Sequence, residues 1–502
     1  MEENTIFKPP APSSSKETSS QGVVSSAQNG QSPSPTSTLI QTQPTLVSPE
    51  LPPANTPPPS DSPSHGLKLP TFSIALVLKA IIGLAVFLVV LLIFLLLILP
   101  RFKGKKIEKV TLTYWGLWEE ASSMQEVIAD FQRQNPTITI SYSKEDQKDY
   151  RERLVTRIQN GVGPDIFRFH NTWLPQLSQI LLPLSSDVIS PSEFAKAYYP
   201  VTQTDLIKNG AIYGIPLEID TLALYINTDL FEAAGVKAPT TWDEFQKISR
   251  QLTVKDEQGK IKTSGAALGT FDNVTHAPDI VSLLLVQNGA DIRNLSQTSK
   301  AASDALTFYT SFSKSSDLVW DASLDPSILS FGKGNLAMYF GYSWDVFLLR
   351  AMNPNLKFQI VEVPHLFSRD VSIASYWVEG ISQKSKHQKE SLLFLKYLAE
   401  KTTSVKKYTA EAKTRLFGEP YARIDLANSI QDNIFVAPFI KQAKRAQSSF
   451  FAGDTYDNGL NARMNGYLGN AVRSVLENTS PDSAVETLSH GVTQVLQQYG
   501  AQ

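Results

Sequence analysis

The sequence predicts an α/β fold from about residue 107 onward, preceded by a polar tail and one apolar helix. Three observations carry this. Strand and helix patterns alternate from Val110: period-2 apolar residues, then a 3.6-period stripe, then period 2 again. The chain is 502 residues long, too long for one compact core. And the run from Phe72 to Leu99 is apolar throughout except at Ser73 and Lys79.

Composition narrows the function classes. Formal net charge is -2, and no basic helix, RNA-binding signature or zinc-finger spacing occurs, so no nucleic-acid partner is expected. With Cys 0 the chain has no disulfide, thiolate metal site, cysteine nucleophile or lipid-modifiable cysteine. The His 6 are scattered, with no His-x-x-x-His pair. P-loop, Gly-x-Ser-x-Gly and His-Glu-x-x-His motifs are missing, so no catalytic residues, metal or cofactor are expected.

In chain order, residues 1–66 are rich in Pro, Ser, Thr and Gln and predict a disordered tail. Residues 72–99 predict an uncleaved transmembrane anchor: Ala80 to Leu99 alone approaches the ~20 residues needed to span hydrocarbon, and no small-residue cleavage site follows. Val110, Leu112 and Tyr114 form a first strand. Ser123 and Glu126 have capping-box spacing ahead of a stripe at Met124, Val127, Ile128 and Phe131. Ile138, Ile140 and Tyr142 form a second strand. Tyr150, Leu154 and Ile158 mark a helix, broken by Gly161 to Pro164, and Asp165 to Phe169 forms a third strand. This order implies a parallel sheet with right-handed crossovers.

Further on, Leu222, Leu224 and Ile226 read as a strand with one buried face. Asn227 can cap a short helix that stops at Gly235. Thr241 and Glu244 form a capping box that starts a helix at Trp242, itself a core or staple residue. Gln388 to Glu400 is a striped helix, and the chain from about Pro438 reads as helices. Asp454 to Gly459 has the wrong carboxylate spacing for a calcium loop and reads as a surface turn.

Several short motifs occur in a familiar order: Gly163-Pro164-Asp165, Tyr213-Gly214-Ile215-Pro216, Leu224-Tyr225-Ile226-Asn227, Thr241-Trp242-Asp243-Glu244, Gly334-Asn335-Leu336-Ala337-Met338 with Gly341 and Trp344, and Ser375-Tyr376-Trp377. The order resembles that of the extracellular solute-binding proteins of ABC sugar importers, the maltose-binding-protein-like family, over nearly all of 107–502. Gly341 stands one place early, and Ser375 and Tyr376 replace the usual glycines. The resemblance implies a two-lobed, type II periplasmic-binding-protein-like fold with hinge crossovers. Lobe one would take about 107–218 and 373–422, and lobe two about 222–368 and 425–502. It also implies an extracellular receptor at the cell membrane that passes a carbohydrate ligand to ABC permease subunits. The positive-inside count, Lys68 and Lys79 against Arg101, Lys103, Lys105 and Lys106, points the other way for topology.

A sugar presents hydroxyls at its rim and C–H groups on its face. Its site therefore needs flat rings together with carboxylates or amides at the carboxyl ends of strands. Candidates are Trp118 and Glu119 after the first strand, and His170, Asn171 and Trp173 after the third. Glu218 and Asp220 lie at the first crossover; Tyr342, Trp344 and Trp377 follow later strands. Asp220 and Trp344 match carboxylate and tryptophan positions of the family pattern. Duller readings stand beside each: Trp173 could pack under its own helix, and Glu218 could only salt-bridge across the hinge. A glycan-acting hydrolase using Glu119, Glu218 or Asp220 as its acid and base, or a ligand sensor without transport, are the alternatives.

Overall fold

The computed structural model describes residues 73–98, 108–314 and 318–501; the tail expected over 1–66 lies outside them. The chain divides into two units, one ending at Phe94 and one starting at Leu95. The first contributes the apolar helix Ile74–Ile93, which continues as a π-helical turn over Phe94–Ile98. No residue of its 23-residue span Ile74–Leu96 is buried. At 1.5 Å per residue it reaches about 35 Å, enough to cross a bilayer core of about 30 Å.

The second unit has two lobes, each with its own core. One is built on a five-stranded sheet in the order Ile138–Lys144, Val110–Gly116, Ile166–His170, Trp377–Ile381, Ile215–Pro216. The first three strands run parallel, as their helical crossovers Ala121–Gln134 and Tyr150–Gln159 require; the last two pair antiparallel. The other lobe holds the antiparallel trio Met338–Gly341, Ala223–Asn227, Phe358–Val361. Helices Ala277–Gln287, Ser299–Ser311, Leu460–Leu476 and Pro481–Tyr499 contribute to the same core. The cores divide between Ile219 and Leu222 and between Ile373 and Ala374; from Phe417 to Ala446 the chain alternates between them.

Several local expectations hold. Helix Thr228–Ala234 is capped by Asn227 and ends on Gly235 at φ 65°. Helix Trp242–Leu252 opens with the full Thr241/Glu244 capping box, and the Trp242 indole donates to Gln287 inside the core. Others change. The helix after strand Val110–Gly116 starts at Ala121, before Ser123, because the Ser123 amide already bonds the Glu120 carbonyl; no side-chain cap forms. Ala223–Asn227 is buried on both faces, since it is the central strand of its sheet. The C-terminal stretch is not all helical. Strand Ala446–Gln447 and the loop 448–459 interrupt it. That loop is no surface turn: Asp457 is buried and pairs with Arg151 (2.6 Å) and Gln176 (3.0 Å) of the first lobe.

Candidate functional site

The lobes meet along a short ladder. Ser375 pairs with Asp220 and Ala374 with Thr221, while Ser372 and Ile373 pair with Ala446 and Gln447. Because strand side chains alternate, this ladder presents two faces. Trp377, His170 and Asp220 point to one side. Their neighbours Tyr376, Asn171 and Thr221 make their contacts elsewhere: Tyr376 and Asn171 bond Asp205, and Thr221 bonds the Phe439 carbonyl.

On the first side an aromatic layer builds outward from the lobe-one core. Trp173 is fully buried and packs edge-on against Trp377 at 5.4 Å. Trp377 in turn meets Trp118 at 5.4 Å, and Trp118 meets Tyr456 at 5.5 Å. His170 joins the layer against Trp377 and bonds Thr172 (2.8 Å) and Ser375 (3.0 Å). Burial pushes its pKa down to about 3, so it is a neutral linker. Only the outer rings are accessible: Trp118 is half-buried and Tyr456 is 43% exposed.

The second lobe supplies a different wall. Trp344 is half-buried and stacks on Tyr342 at 4.4 Å with 16° between planes. The carboxylate of Asp345 accepts from the Tyr339 hydroxyl, the Tyr342 amide and His276 Nε2, at 2.9, 3.1 and 2.9 Å. It occupies the space beside Gly341, where a Cβ would lie 2.4 Å from Asp345 Oδ2. His276 Nδ1 lies 3.1 Å from Asp454. Burial lowers the His276 pKa, but Asp345 and Asp454 outweigh it and hold the imidazole charged. Asp454 and Tyr456 both take left-handed backbone, φ 50° and 53°. The loop therefore ties His276 on one lobe to Trp118 on the other.

Asp220 sits between the walls. It is 3% exposed and accepts from the Ser343 and Thr221 amides, both at 2.8 Å, with no cationic partner among the described residues. Burial pushes its pKa up. Trp118 Nε1, Trp173 Nε1 and Ser343 Oγ are buried here without a hydrogen-bond partner among the described residues, and the Ser343 hydroxyl lies near enough to Asp220 to lower its pKa against burial.

Beneath the lobe-one wall runs a buried ionic network. Arg168 Nη1 holds Glu119 at 2.5 Å and Glu218 at 3.2 Å, and its Nε and Nη2 hold Glu379 at 2.7 and 2.5 Å. Lys407 adds Glu119 (3.1 Å), Glu218 (3.4 Å) and Glu411 (2.6 Å). Burial raises the Glu119 pKa, yet Arg168 and Lys407 bring it well below the usual carboxylate range. For Glu218 burial wins, and its pKa is pushed up to about 8.

The structure thus brings together Trp118, Trp377, Tyr342, Trp344, Asp220 and His170. It separates four sequence candidates from them. Glu119 and Glu218 are consumed by Arg168 and Lys407, because a buried carboxylate without a counter-charge is costly. Trp173 is core. Asn171 points away from the aromatic layer, with its amide on Asp205 and Ser448. Sequence reading missed Arg168, His276, Ser343 and Tyr456. A signal existed for Arg168: a lone guanidinium inside the apolar strand Ile166–His170 has to find buried acids.

The model of the family "Bacterial extracellular solute-binding protein" matches residues 115–403, more than half of the chain. A multiple sugar-binding protein of Streptococcus mutans is 24% identical over 336 residues, covering 61% of this chain and 75% of its own. Among solved structures, the sugar-binding protein MalE of Xanthomonas citri superposes with TM-score 0.63 at 21% identity, covering 78% of this chain and 98% of its own. A cyclo/maltodextrin-binding protein complexed with maltotetraose gives TM-score 0.62 at 16% identity, covering 79% and 99%. These likenesses establish the two-lobed fold, and the family is one of binding proteins. The chain belongs to the bacterial extracellular solute-binding proteins.

Proposed function

We propose that this protein is a membrane-anchored receptor that captures a sugar or oligosaccharide outside the cell and delivers it to the permease of an ABC importer. The observation that carries this reading is the Trp344–Tyr342 stack beside the Asp220 carboxyl. One lobe offers a ring for the C–H face, and the ladder offers an acceptor for the hydroxyls. Trp118 Nε1 and Ser343 Oγ are polar groups left for a ligand to satisfy. Trp118 and Tyr456 form the opposing surface. The sugar-binding names of the matched relatives support the same class. No bond is made or broken in this reading; closure energy comes from contacts with both lobes. The helix over residues 74–98 would anchor the receptor with its lobes outside, and protease digestion of intact cells tests that arrangement by degrading them.

A thermal-shift screen of the detergent-solubilised full chain against mono- and oligosaccharides identifies the ligand, and calorimetry then measures it. A panel without a single stabilising sugar would overturn the carbohydrate assignment.

A further inference from the structure

A second depression lies on the other face of the hinge ladder. Its volume is about 880 Å³, within the range of small-molecule sites. Among the candidate ligand residues, only Asn171 borders it. One wall is the helix Pro200–Leu206 and the strand residue Lys208; the other is the segment from Val286 to Arg293 with Arg369. The floor is Ala446 to Phe450, whose first residues pair with the hinge strand Ser372–Ser375. Val201 belongs to one core and Val286, Ala290 and Ile292 to the other, so the groove spans both lobes.

Its charge is unbalanced. Lys208, Arg293 and Arg369 line it, and none has a carboxylate within salt-bridge distance among the described residues. The two acids present are already committed. Asp205 accepts from Tyr376 Oη (2.6 Å), Asn171 Nδ2 (3.0 Å) and Ser448 Oγ (2.5 Å). Asp291 caps its own turn by accepting from the Arg293 amide at 3.0 Å. Arg293 lies near enough to Asp205 to lower that carboxyl's pKa against burial, but neither guanidinium forms an ion pair among the described residues. Arg293 lies over the Phe450 ring at 5.4 Å. Arg369 lies where a Cβ on Gly289 would come within 3.5 Å, just past the C-terminus of helix Ala277–Gln287.

We infer that this groove is a second binding site, for a small oxyanion of the phosphate or carboxylate type. Planar guanidinium forks match such groups bidentately. An anion held from both walls ties the lobes together in the arrangement seen. This site is separate from the sugar cleft and stands or falls without it.

The test is calorimetric titration of inorganic phosphate, and separately of citrate, into the full chain in detergent, at ionic strength matched with potassium chloride. Saturable binding and a raised melting temperature are expected for the native protein with at least one of them. Arg293→Ala combined with Arg369→Ala should weaken binding roughly tenfold or more, the scale of losing charge-assisted hydrogen bonds. Arg369→Lys keeps the charge but not the fork and should fall between. All three side chains are exposed, so folding should survive, and unchanged circular dichroism checks it. No saturable binding of either anion to the native protein, or identical titrations for the native and doubly substituted proteins, would overturn the site.

Discussion

The two walls of the candidate cleft use carboxylates in opposite ways. In lobe one Glu119, Glu218 and Glu379 gather around Arg168, and Lys407 completes the charge balance for the first two. Their charge is met inside the protein, although Glu379 Oε2 itself has no hydrogen-bond partner among the described residues. At the lobe-two wall Asp220 receives only backbone amides, and Ser343 Oγ beside it has no partner among the described residues. A buried acid matched by its own cations is architecture. A buried acid with spare acceptor capacity beside an accessible ring can do recognition. Under the proposed function this difference gives stability to one wall and ligand affinity to the other, and each prediction below probes that division.

The largest effect should come from Arg168→Met. It strands three buried carboxyl groups, and breaking a buried ion pair from one side costs about 3–5 kcal/mol. Urea denaturation should show the loss as a lowered midpoint. A loss below about 1 kcal/mol would mean that the network holds nothing together. Trp344→Ala should do the reverse. Its ring is half-buried and stacks on Tyr342, so folding should be only mildly affected, while sugar affinity falls by about 1–3 kcal/mol. Calorimetry with the sugar from the screen reads this directly. Unchanged affinity would move the site away from Trp344.

Much of this was legible in the residues, and the gaps have physical causes. Alternation of strand and helix was readable because both periods show in the apolar pattern from Val110 to Phe169. The Thr241/Glu244 box was readable because a cap is local. The Ser123/Glu126 pair has the same spacing yet does not cap, since the helix begins at Ala121 and spacing alone does not say where a helix starts. Asp220 and Trp344 were found through family motifs. Their adjacency rests on a hydrogen bond between residues 123 positions apart, which no local pattern encodes. Glu119 looked free for the same reason, because its partner Arg168 is 49 residues away. Tyr456 carried no motif, and only the loop's fold brings it to Trp118.

The network also predicts a pH dependence. Burial raises the folded pKa of Glu218 to about 8, from the 4.5 usual for a glutamate. The folded state therefore holds a proton that the unfolded state releases, and this stabilisation is complete below the unfolded pKa and lost as pH rises through about 8. His276, raised by Asp345 and Asp454, acts in the same direction above the 6.5 usual for a histidine. His170, lowered to about 3, acts oppositely but only below that same value. Asp220 and Glu379, both raised by burial, act in the same direction as Glu218 and His276, so between pH 6.5 and about 8 stability should fall. Glu218 contributes about 1–2 kcal/mol of that fall. Glu218→Gln mimics the protonated form and should flatten its share of the slope while leaving stability at pH 6 nearly unchanged. An identical slope in the variant would take the effect away from Glu218 and leave it to the other raised groups, His276, Asp220 and Glu379.

The smallest effect concerns the loop that joins the walls. Tyr456 is the accessible ring beside Trp118, and its left-handed backbone carries a cost of about 1–2 kcal/mol that asparagine bears far better. A tyrosine kept there despite the strain should be kept for its ring. Tyr456→Asn should therefore hold or slightly raise the unfolding midpoint, since the Asp454–His276 pair still anchors the loop. Sugar affinity should nonetheless fall by about 0.5–1.5 kcal/mol, the scale of one aromatic contact. If stability drops instead and affinity holds, the ring serves to pack Trp118 against lobe one, and the cleft is closed by Trp118 and Trp344 alone.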